Sequence, residues 1–394
     1  MIYSDFNGLK LSQLGMGTMR LPLNEDKSID EAETERIFDF LIKNGLNYFD
    51  TANPYHGGMS EIVTGKILKK YPRDSFYLAT KFPGHQIRST YYPDEVFEEQ
   101  LKKCQVDYFD FYLLHNVYEN SIDIYMSEKW NILNYFLEQK RNGRIKYLGF
   151  SFHGRVDTLK KFLDYCGDEM DFCQIQLNYL DWTFQDGKEK YNILTKHNIP
   201  VWVMEPLRGG RLAHLDRFDE KMAWEMRPGE SVAACAFRFL QCLPNVKVIL
   251  SGMSTFEQAE DNIKTFAEKK KFSLKESERL LSMANGMKKA IPCTACRYCC
   301  DGCPAGLDIP LLIKIYNDVR FDPTITASMQ LDTIPEDKKS TACIGCGKCA
   351  EVCPQKINIP EIMKECSEAM KTLPNWTEIC RQREMDRQKV KNGI

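Results

Sequence analysis

The sequence predicts a (β/α)8 barrel of the α/β class, followed by a small, mainly helical domain. Short apolar runs alternate with longer amphipathic stretches up to about residue 265, as in parallel strands joined by helical crossovers. Eight such units in about 260 residues match the size of a closed barrel. Beyond them the cysteines form two runs of equal spacing. An open, doubly wound sheet is the alternative for the first part, because strand count alone does not exclude it.

The length of 394 residues leaves room for one large domain and one small one. We expect the barrel over residues 1–285, a cysteine-rich domain over residues 286–370 and a charged tail over residues 371–394. The tail contains Trp376 and Cys380, and one interpretation is a helix that packs back on the barrel.

The composition excludes several functional classes. Apolar residues make up 43% of the chain and charged residues 27%, so a packed core is expected rather than disorder. The net charge is −2 and there is no basic block, which argues against nucleic-acid binding. Because no apolar stretch approaches the ~20 residues of a membrane helix, we expect no membrane segment. Sixteen cysteines without an export signal predict a reducing, cytoplasmic location.

The barrel elements can be read in order from the apolar patterns. The predicted strands are Leu11–Met19, Asn47–Ala52, Phe76–Phe82, Phe109–Asn116, Ile145–Ser151, Phe172–Tyr179, Pro200–Pro206 and Lys247–Gly252. The clearest predicted helices are Glu31–Lys43, Ser60–Lys69, Pro93–Cys104, Tyr125–Arg141, Glu230–Cys242 and Thr255–Phe266.

Each cysteine run has the spacing C-x2-C-x2-C-x3-C and is followed directly by proline. The first run is Cys293, Cys296, Cys299 and Cys303, and the second is Cys343, Cys346, Cys349 and Cys353. This is the bacterial [4Fe–4S] pattern, in which the fourth cysteine ligates the other cluster. We therefore predict two clusters, one bound by the first three cysteines of the first run with Cys353, and the other by the first three of the second run with Cys303.

Zinc and disulfides are the alternatives to clusters. Structural zinc usually takes two C-x2-C pairs, and disulfides suit small secreted chains, so both fit this pattern poorly. Cys300 could compete with Cys299 as a ligand, although the spacing to Cys303 favours Cys299. The residues after each run also repeat, with Pro310 and Pro360 opening apolar helical stretches. The region resembles the helical dicluster ferredoxin domains that are fused to larger redox enzymes.

Four polar residues stand where predicted strands end and the following loops begin, which is where a barrel carries its chemistry. They are Asp50, Tyr55, Lys81 and His115. Their contexts, F-D-T-A-N-P-Y, A-T-K and Y-L-L-H, resemble the aldo/keto reductase family over about residues 8–265. Together with the cysteine runs, the chain is similar to the branch of that family that carries a dicluster extension.

The resemblance implies a proton donor, Tyr55, with Lys81, Asp50 and His115 in support. A carbonyl reduced by hydride must be protonated on oxygen, and a free tyrosine has a pKa of ~10. A lysine ammonium nearby favours the phenolate, and an aspartate keeps that lysine charged. A histidine then orients the carbonyl oxygen, and such a positioned acid is expected to contribute ~10² to 10⁴ in rate.

The resemblance also implies a nicotinamide site, although no G-x-G-x-x-G motif is present. Ser151 and Gln174 would hold the carboxamide, and ordinary polar strand residues are the alternative. The residues implied near the pyrophosphate and the adenine are Leu207, Arg208, Gly209, Arg211, Ser251, Gly252, Met253, Ser254, Gln258 and Asn262.

Several positions depart from the family pattern. Gly252 and Gln258 stand where members often place a lysine and an arginine for the 2′-phosphate, so a preference for NADP is not predicted. Met204 occupies the place of an aromatic that stacks on the nicotinamide, and Phe152 replaces the asparagine that often follows Ser151.

The predicted barrel and the cysteine-rich domain together allow three functional interpretations. In the first, the barrel reduces a small-molecule carbonyl, or oxidises an alcohol, with NAD(P)H while the clusters are structural. In the second, the clusters relay electrons between an external ferredoxin and the barrel through a bound flavin, because hydride carriers pass two electrons and each cluster passes one. In the third, the barrel is a scaffold for a redox sensor. The set of four polar residues favours an enzyme.

Overall fold

The computed structural model describes residues 1–86, 88–215, 217–287, 290–321 and 323–393. They divide into two compact units, one formed by Met1–Leu281 with Gln382–Ile394 and the other by Ser282–Arg381. We call these the barrel unit and the cysteine unit. Over the described residues, no helix has both the length and the apolar content that crossing a membrane requires.

Within the described residues, eight parallel strands close into a barrel, as the sequence predicts. Each strand pairs with the next along the chain, and the last strand returns to pair with the first. The strands are β3 (Leu14–Gly17), β4 (Tyr48–Asp50), β5 (Tyr77–Phe82), β6 (Phe109–Val117), β7 (Ile145–Phe152), β8 (Phe172–Gln176), β9 (Val201–Met204) and β10 (Val246–Ser251), numbered after a short hairpin described below.

That hairpin, β1 (Tyr3–Phe6) and β2 (Leu9–Ser12), was not predicted. Its Phe6 packs edge to face on Trp202 at 5.0 Å between ring centroids, among buried side chains near the beginnings of the barrel strands. The predicted strand Leu11–Met19 is therefore wrong in extent: the run is divided between β2, β3 and the 3₁₀ turn Thr18–Arg20.

Three helices of the barrel unit begin at a residue whose side chain caps the helix. Asp30 accepts a hydrogen bond from the Glu33 backbone N–H, and Thr255 and Ser231 cap two later helices in the same way. The helices are α1 (Glu31–Lys43), α2 (Met59–Leu68), α3 (Pro93–Cys104), α4 (Ile122–Tyr125), α5 (Ile132–Arg141), α6 (Val156–Cys166), α7 (Asp181–Phe184), α8 (Gly187–Lys196), α9 (Arg217–Met226), α10 (Val232–Gln241) and α11 (Phe256–Ala267). Further 3₁₀ turns span Tyr55–Gly58, Arg73–Ser75, Gly167–Glu169 and Arg208–Ala213.

The cysteine unit is helical, and its two repeats form matching helices. Pro310 and Pro360 are each the second residue of a helix, where the missing N–H costs no hydrogen bond. The two helices pack together around buried Leu312, Ile313 and Met363. Its helices are α12 (Leu274–Met287, begun before the unit boundary), α13 (Tyr298–Asp301), α14 (Ile309–Phe321), α15 (Ile325–Asp332), α16 (Lys348–Glu351), α17 (Ile359–Met370) and the start of α18 (Trp376–Gly393), with 3₁₀ turns Glu336–Lys338 and Ser340–Ala342.

Candidate functional site

The four polar residues predicted at strand ends lie together, with Lys81 at their centre. Lys81 Nζ donates to Asp50 Oδ1 at 2.5 Å and to the Thr51 carbonyl oxygen at 2.7 Å. It lies 5.1 Å from the centroid of the Tyr55 ring. The Tyr55 ring meets the His115 ring edge to face, with centroids 6.0 Å apart. These residues sit on β4, β5, β6 and the turn after β4, so the parallel barrel brings them to one end.

The ion pair beneath the tyrosine is buried. The side chains of Lys81 and Asp50 are 0% and 3% exposed. Burial raises the pKa of Asp50, and the charge of Lys81 opposes that shift. For Lys81, burial works against the ammonium, but the charge of Asp50, together with Tyr55 and the hydrogen bonds to both residues, outweighs it and the pKa of Lys81 is raised. Lys81 is therefore positively charged at neutral pH.

The Tyr55 hydroxyl remains a phenol at neutral pH. Burial raises the pKa of Tyr55, while the charge of Lys81 acts in the opposite direction. The lowered pKa expected from the sequence is therefore not found. The net shift is upward because the loss of solvent outweighs the ammonium. A protonated phenol beside a fixed cation can donate its proton, and the resulting phenolate would be stabilised.

Two further histidines, absent from the predicted site, surround His115. The rings of His85 and His115 are 4.5 Å apart between centroids, in an edge-to-face arrangement. Burial, followed by the charge of His85, holds the pKa of His115 well below its usual value. Burial also lowers the pKa of His153 to about 3. These imidazoles are therefore neutral at neutral pH, and His115 Nδ1 has no hydrogen-bond partner among the described residues.

The two residues predicted to hold a carboxamide are neighbours. Ser151 on β7 pairs in register with Gln174 on β8. Both are buried, and Ser151 Oγ accepts a hydrogen bond from the Asn116 backbone N–H at 2.7 Å. Gln174 Oε1 is buried without a hydrogen-bond partner within the described part of the chain. A buried orphan acceptor is costly, so it fits a ligand that brings a donor such as an amide.

The loops predicted near the pyrophosphate gather around Arg20, which sequence reasoning missed. Its guanidinium contacts Glu205 at 3.0 Å, and its carbonyl oxygen accepts from Ser254 Oγ at 2.7 Å. Gln258 Oε1 in turn accepts from the Ser254 backbone N–H at 2.8 Å. A side chain added at Gly209 would meet Arg20. Arg20 therefore joins the loop after β9 to the loop after β10.

Four of the other residues predicted in these loops, Arg208, Ser251, Met253 and Asn262, are buried inside the protein. Arg208 is buried and forms an ion pair with the equally buried Asp181, so Asp181 neutralises its charge inside the protein. Met253 is fully buried. Asn262 Nδ2 donates to Ser251 Oγ at 3.0 Å, which fixes the end of β10. Leu207 precedes the turn Arg208–Ala213, and Gly252 is exposed beside Arg20.

The cysteine unit contains two cavities lined by cysteines from both runs. The first is lined by Cys293, Cys296, Cys299 and Cys353, among other residues. The second is lined by Cys303, Cys343, Cys346 and Cys349, among other residues. Each cavity therefore combines the first three cysteines of one run with the fourth of the other. Four thiols around one apolar space fit the donor set of a [4Fe–4S] cluster.

Cys300 is outside the lining of either cavity, while its neighbour Cys299 lines the first. Burial, then Cys300, raises the pKa of the Cys299 thiol to about 12. Among the described residues, no three His, Cys, Asp or Glu side chains are close enough to bind a single metal ion. The eight cysteines of the two runs therefore line two cavities and do not form the close group that a single metal ion requires.

Comparisons with known proteins agree with both parts. The family described as "Aldo/keto reductase family" matches residues 13–284. The chain belongs to the aldo/keto reductase family. Its C-terminal part matches the 4Fe-4S dicluster domain over residues 292–357, so the reductase carries an iron–sulfur domain.

Relatives cover mainly the barrel of this aldo/keto reductase. L-galactose dehydrogenase of Arabidopsis thaliana is 25% identical over 66% of this chain and 86% of its own. A probable aldo-keto reductase of Glycine max is 31% identical over 39% of this chain, so the chain spans only 45% of that relative. Among solved structures, the holo form of an aldo-keto reductase from Bacillus halodurans is 26% identical, with a TM-score of 0.56 over 70% of this chain and 93% of its own.

Proposed function

We propose that the chain reduces a carbonyl compound with a nicotinamide, that Tyr55 protonates the product oxygen, and that the cysteine unit binds two [4Fe–4S] clusters. The observation that carries the enzymatic part is the buried Lys81–Asp50 ion pair beneath the Tyr55 ring. A solvent-excluded cation at this position stabilises the negative charge that develops on the phenol oxygen as the proton leaves.

In the proposed reaction, the nicotinamide supplies the hydride for the carbonyl carbon. Tyr55 donates its hydroxyl proton to the carbonyl oxygen, so the product is a neutral alcohol. Lys81 stabilises the phenolate, and Asp50 holds Lys81 charged. His115, with a lowered pKa, is a neutral imidazole that can hydrogen-bond to the carbonyl oxygen and orient it.

The nicotinamide would be oriented by Ser151 and Gln174. The buried acceptor Gln174 Oε1 is matched to the amide N–H of a carboxamide. NADH is the favoured donor, because Gly252 and Gln258 offer no charge to a 2′-phosphate and the nearby Arg20 already pairs with Glu205. One relative, of Escherichia coli, is described as an NADH-specific methylglyoxal reductase, which is consistent with this choice.

Each cluster would be bound by the four cysteines that line one cavity. Cys293, Cys296, Cys299 and Cys353 would bind one cluster, and the remaining four cysteines of the two runs would bind the other. A second candidate function uses them to exchange electrons with a ferredoxin-like partner, with a bound flavin as mediator. Its supporting observation is that Cys296 and Cys346 are exposed, which would bring each cluster near the surface.

The proposal is tested by Tyr55→Phe with Tyr165→Phe as control, since Tyr165 is exposed on α6. Anaerobically reconstituted protein is assayed for NADH consumption with a set of aldehydes and ketones. We expect Tyr55→Phe to lower kcat about 10² to 10⁴-fold and to keep the iron and sulfide content of the wild type. Wild-type turnover in Tyr55→Phe would contradict the proposed proton donor.

A further inference from the structure

The final turns of α18 belong to the barrel unit, although they follow the whole cysteine-rich segment in sequence. In this stretch Arg387 is buried and Glu384 and Asp386 are half-buried, whereas Gln388 and Lys389 are exposed. Residues three apart share a helix face, so Glu384 and Arg387 lie together on the covered side. The end of the helix is therefore packed and not a free tail.

Charges of alternating sign attach this face to the rest of the barrel unit. Arg88 and Glu384 lie 3.0 Å apart, with side-chain exposures of 9% and 16%. Glu384 accepts a hydrogen bond from Arg387, and Arg387 donates to Glu99 at 2.8 Å. Glu99 also pairs with the buried Lys103 at 2.8 Å. Pairs this poorly solvated fix one arrangement, because a displaced helix would leave charges buried without partners.

The turn that begins with Tyr55 needs support from its surroundings. His56, Gly57 and Gly58 all have positive φ, at 50°, 63° and 97°. A backbone of this kind persists only where neighbouring structure holds it. His56 Nε2 accepts a hydrogen bond from the Leu21 backbone N–H at 3.2 Å, but the two glycines have no side chain that could make such a contact. Their support must come from other residues.

The end of α18 and its ion pairs border these two glycines. A Cβ added at Gly57 would lie 3.2 Å from Asp386 Cβ. One added at Gly58 would lie 3.5 Å from Lys103 Nζ and 3.9 Å from Arg387 Cα. Glycine therefore allows the helix and the turn to approach closely, and the helix limits where the turn can move.

We propose that Arg387 is a positioning residue, which fixes the end of α18 against Gly57 and Gly58 and so keeps Tyr55 in place beside Lys81. This inference rests on the proposed function, in which Tyr55 donates the proton. Proton transfer requires the donor within hydrogen-bond reach of the acceptor, so a displacement of about 1 Å would cost about 10²-fold in rate. Arg387 lies outside both matched regions, residues 13–284 and 292–357, so this support is additional to the matched barrel.

The test uses three variants of the cluster-loaded full chain. Arg387→Gln removes the charge and is too short to reach Glu99, whereas Arg387→Lys keeps the charge. Arg381→Gln is the matched control, because Arg381 is an exposed arginine on the same helix. Four quantities are measured: kcat, the KM for NADH, the solvent deuterium isotope effect on kcat, and hydrogen exchange of the Tyr55 and Met59 backbone amides, which are hydrogen-bonded at the two ends of the turn.

We expect Arg387→Gln to lower kcat about 10- to 100-fold and to leave the KM for NADH near that of the wild type. The solvent isotope effect should rise because protonation becomes slower, and the turn amides should exchange faster. Arg387→Lys should recover part of kcat, and Arg381→Gln should match the wild type. A purely structural role would lower the amount of folded protein but not kcat per folded chain, nor would it change the isotope effect.

The double variant Arg387→Gln/Glu99→Gln keeps the test decisive if the single variant does not fold. Neither charge of that pair is then buried alone, and Lys103 keeps Glu61 at 3.9 Å. Wild-type kcat and isotope effect in a folded variant would overturn the inference and leave the reductase proposal standing, as would unchanged exchange of the turn amides. A wild type without NADH-dependent turnover of any carbonyl would defeat the proposed function and this inference together.

Discussion

The barrel gathers its site from four separate strand ends and loops, whereas the cysteine unit gathers most of each site from one short run. Asp50, Lys81 and His115 meet only because neighbouring parallel strands end together. In the cysteine unit, three of the cysteines that line each cavity lie within seven residues, and only Cys303 and Cys353 belong to the cavity of the other run. The barrel site thus depends on the whole barrel. Each cysteine site depends on the spacing within one run and on a single cysteine from the other run. Substitutions in the two regions should therefore have different consequences.

The largest effect is expected in the barrel from Lys81→Met. It removes the cation beside Tyr55 and leaves the Asp50 carboxylate buried without its partner. Activity should fall at least as far as in Tyr55→Phe, and the free energy of unfolding of the barrel should fall by about 3–5 kcal/mol. Activity and urea denaturation measure the two effects.

The double variant Lys81→Met/Asp50→Asn is the control for this prediction. It should recover much of the stability, because no charge remains buried, but none of the activity. If Lys81→Met is as stable as the wild type, the ion pair is less isolated from solvent than the structure indicates.

Paired substitutions test whether the fourth cysteine of each run binds the cluster of the other run. The measured quantity is the iron content per chain. Cys353→Ala should remove roughly half of the iron, since each cluster carries half of it. Adding Cys296→Ala, from the same cavity, should remove little more. Adding Cys346→Ala, from the other cavity, should remove most of the remainder.

The opposite result would show that each run binds its own cluster. In that arrangement Cys353 and Cys346 would belong together, and their double variant would lose only half of the iron. Cys300→Ala is the matched control, because Cys300 lines neither cavity, and it should keep the full iron content.

The smallest effect is a pH dependence of stability from the buried histidines. His153 has a pKa of about 3 in the folded chain, against about 6.5 when unfolded. Below pH 6.5 the unfolded chain binds more protons, so this contribution to stability is kept above pH 6.5 and lost as the pH falls toward 3. His153→Gln should reduce the slope of unfolding free energy against pH between 6 and 4 by about 1 kcal/mol per pH unit. An unchanged slope would mean that His153 is protonated in the folded protein.

The sequence predicts the barrel because each strand is a short apolar run, and because the polar site residues follow the ends of these runs. The helix predicted over Tyr125–Arg141 is divided, because Asn131 takes a left-handed backbone with φ of 49° ahead of α5. The N-terminal hairpin was missed because β1 is short and contains Ser4 and Asp5, and because a single residue separates β2 from β3.

The site was predictable only where residues stand in recognisable spacing. The four polar residues at the strand ends and the eight cysteines stand in recognisable motifs, and the structure brings each set together. Arg20 has none, since a single arginine in a polar stretch is usually solvated. The end of the last helix is attached to the barrel unit through ion pairs between residues far apart in sequence, such as Arg387 and Glu99, which no local pattern reveals.

The central claim, that the barrel passes hydride directly from nicotinamide to a carbonyl, is tested by a single anaerobic turnover with NADH deuterated at the transferring position. The cluster-loaded protein is mixed with one equivalent of this donor and an excess of the aldehyde or ketone that it turns over fastest, and the alcohol is analysed by mass spectrometry while cluster absorbance is followed. We predict one deuterium on the former carbonyl carbon and unchanged absorbance. An alcohol without deuterium, formed as the clusters bleach and recover, would contradict direct transfer and show that electrons travel through the clusters.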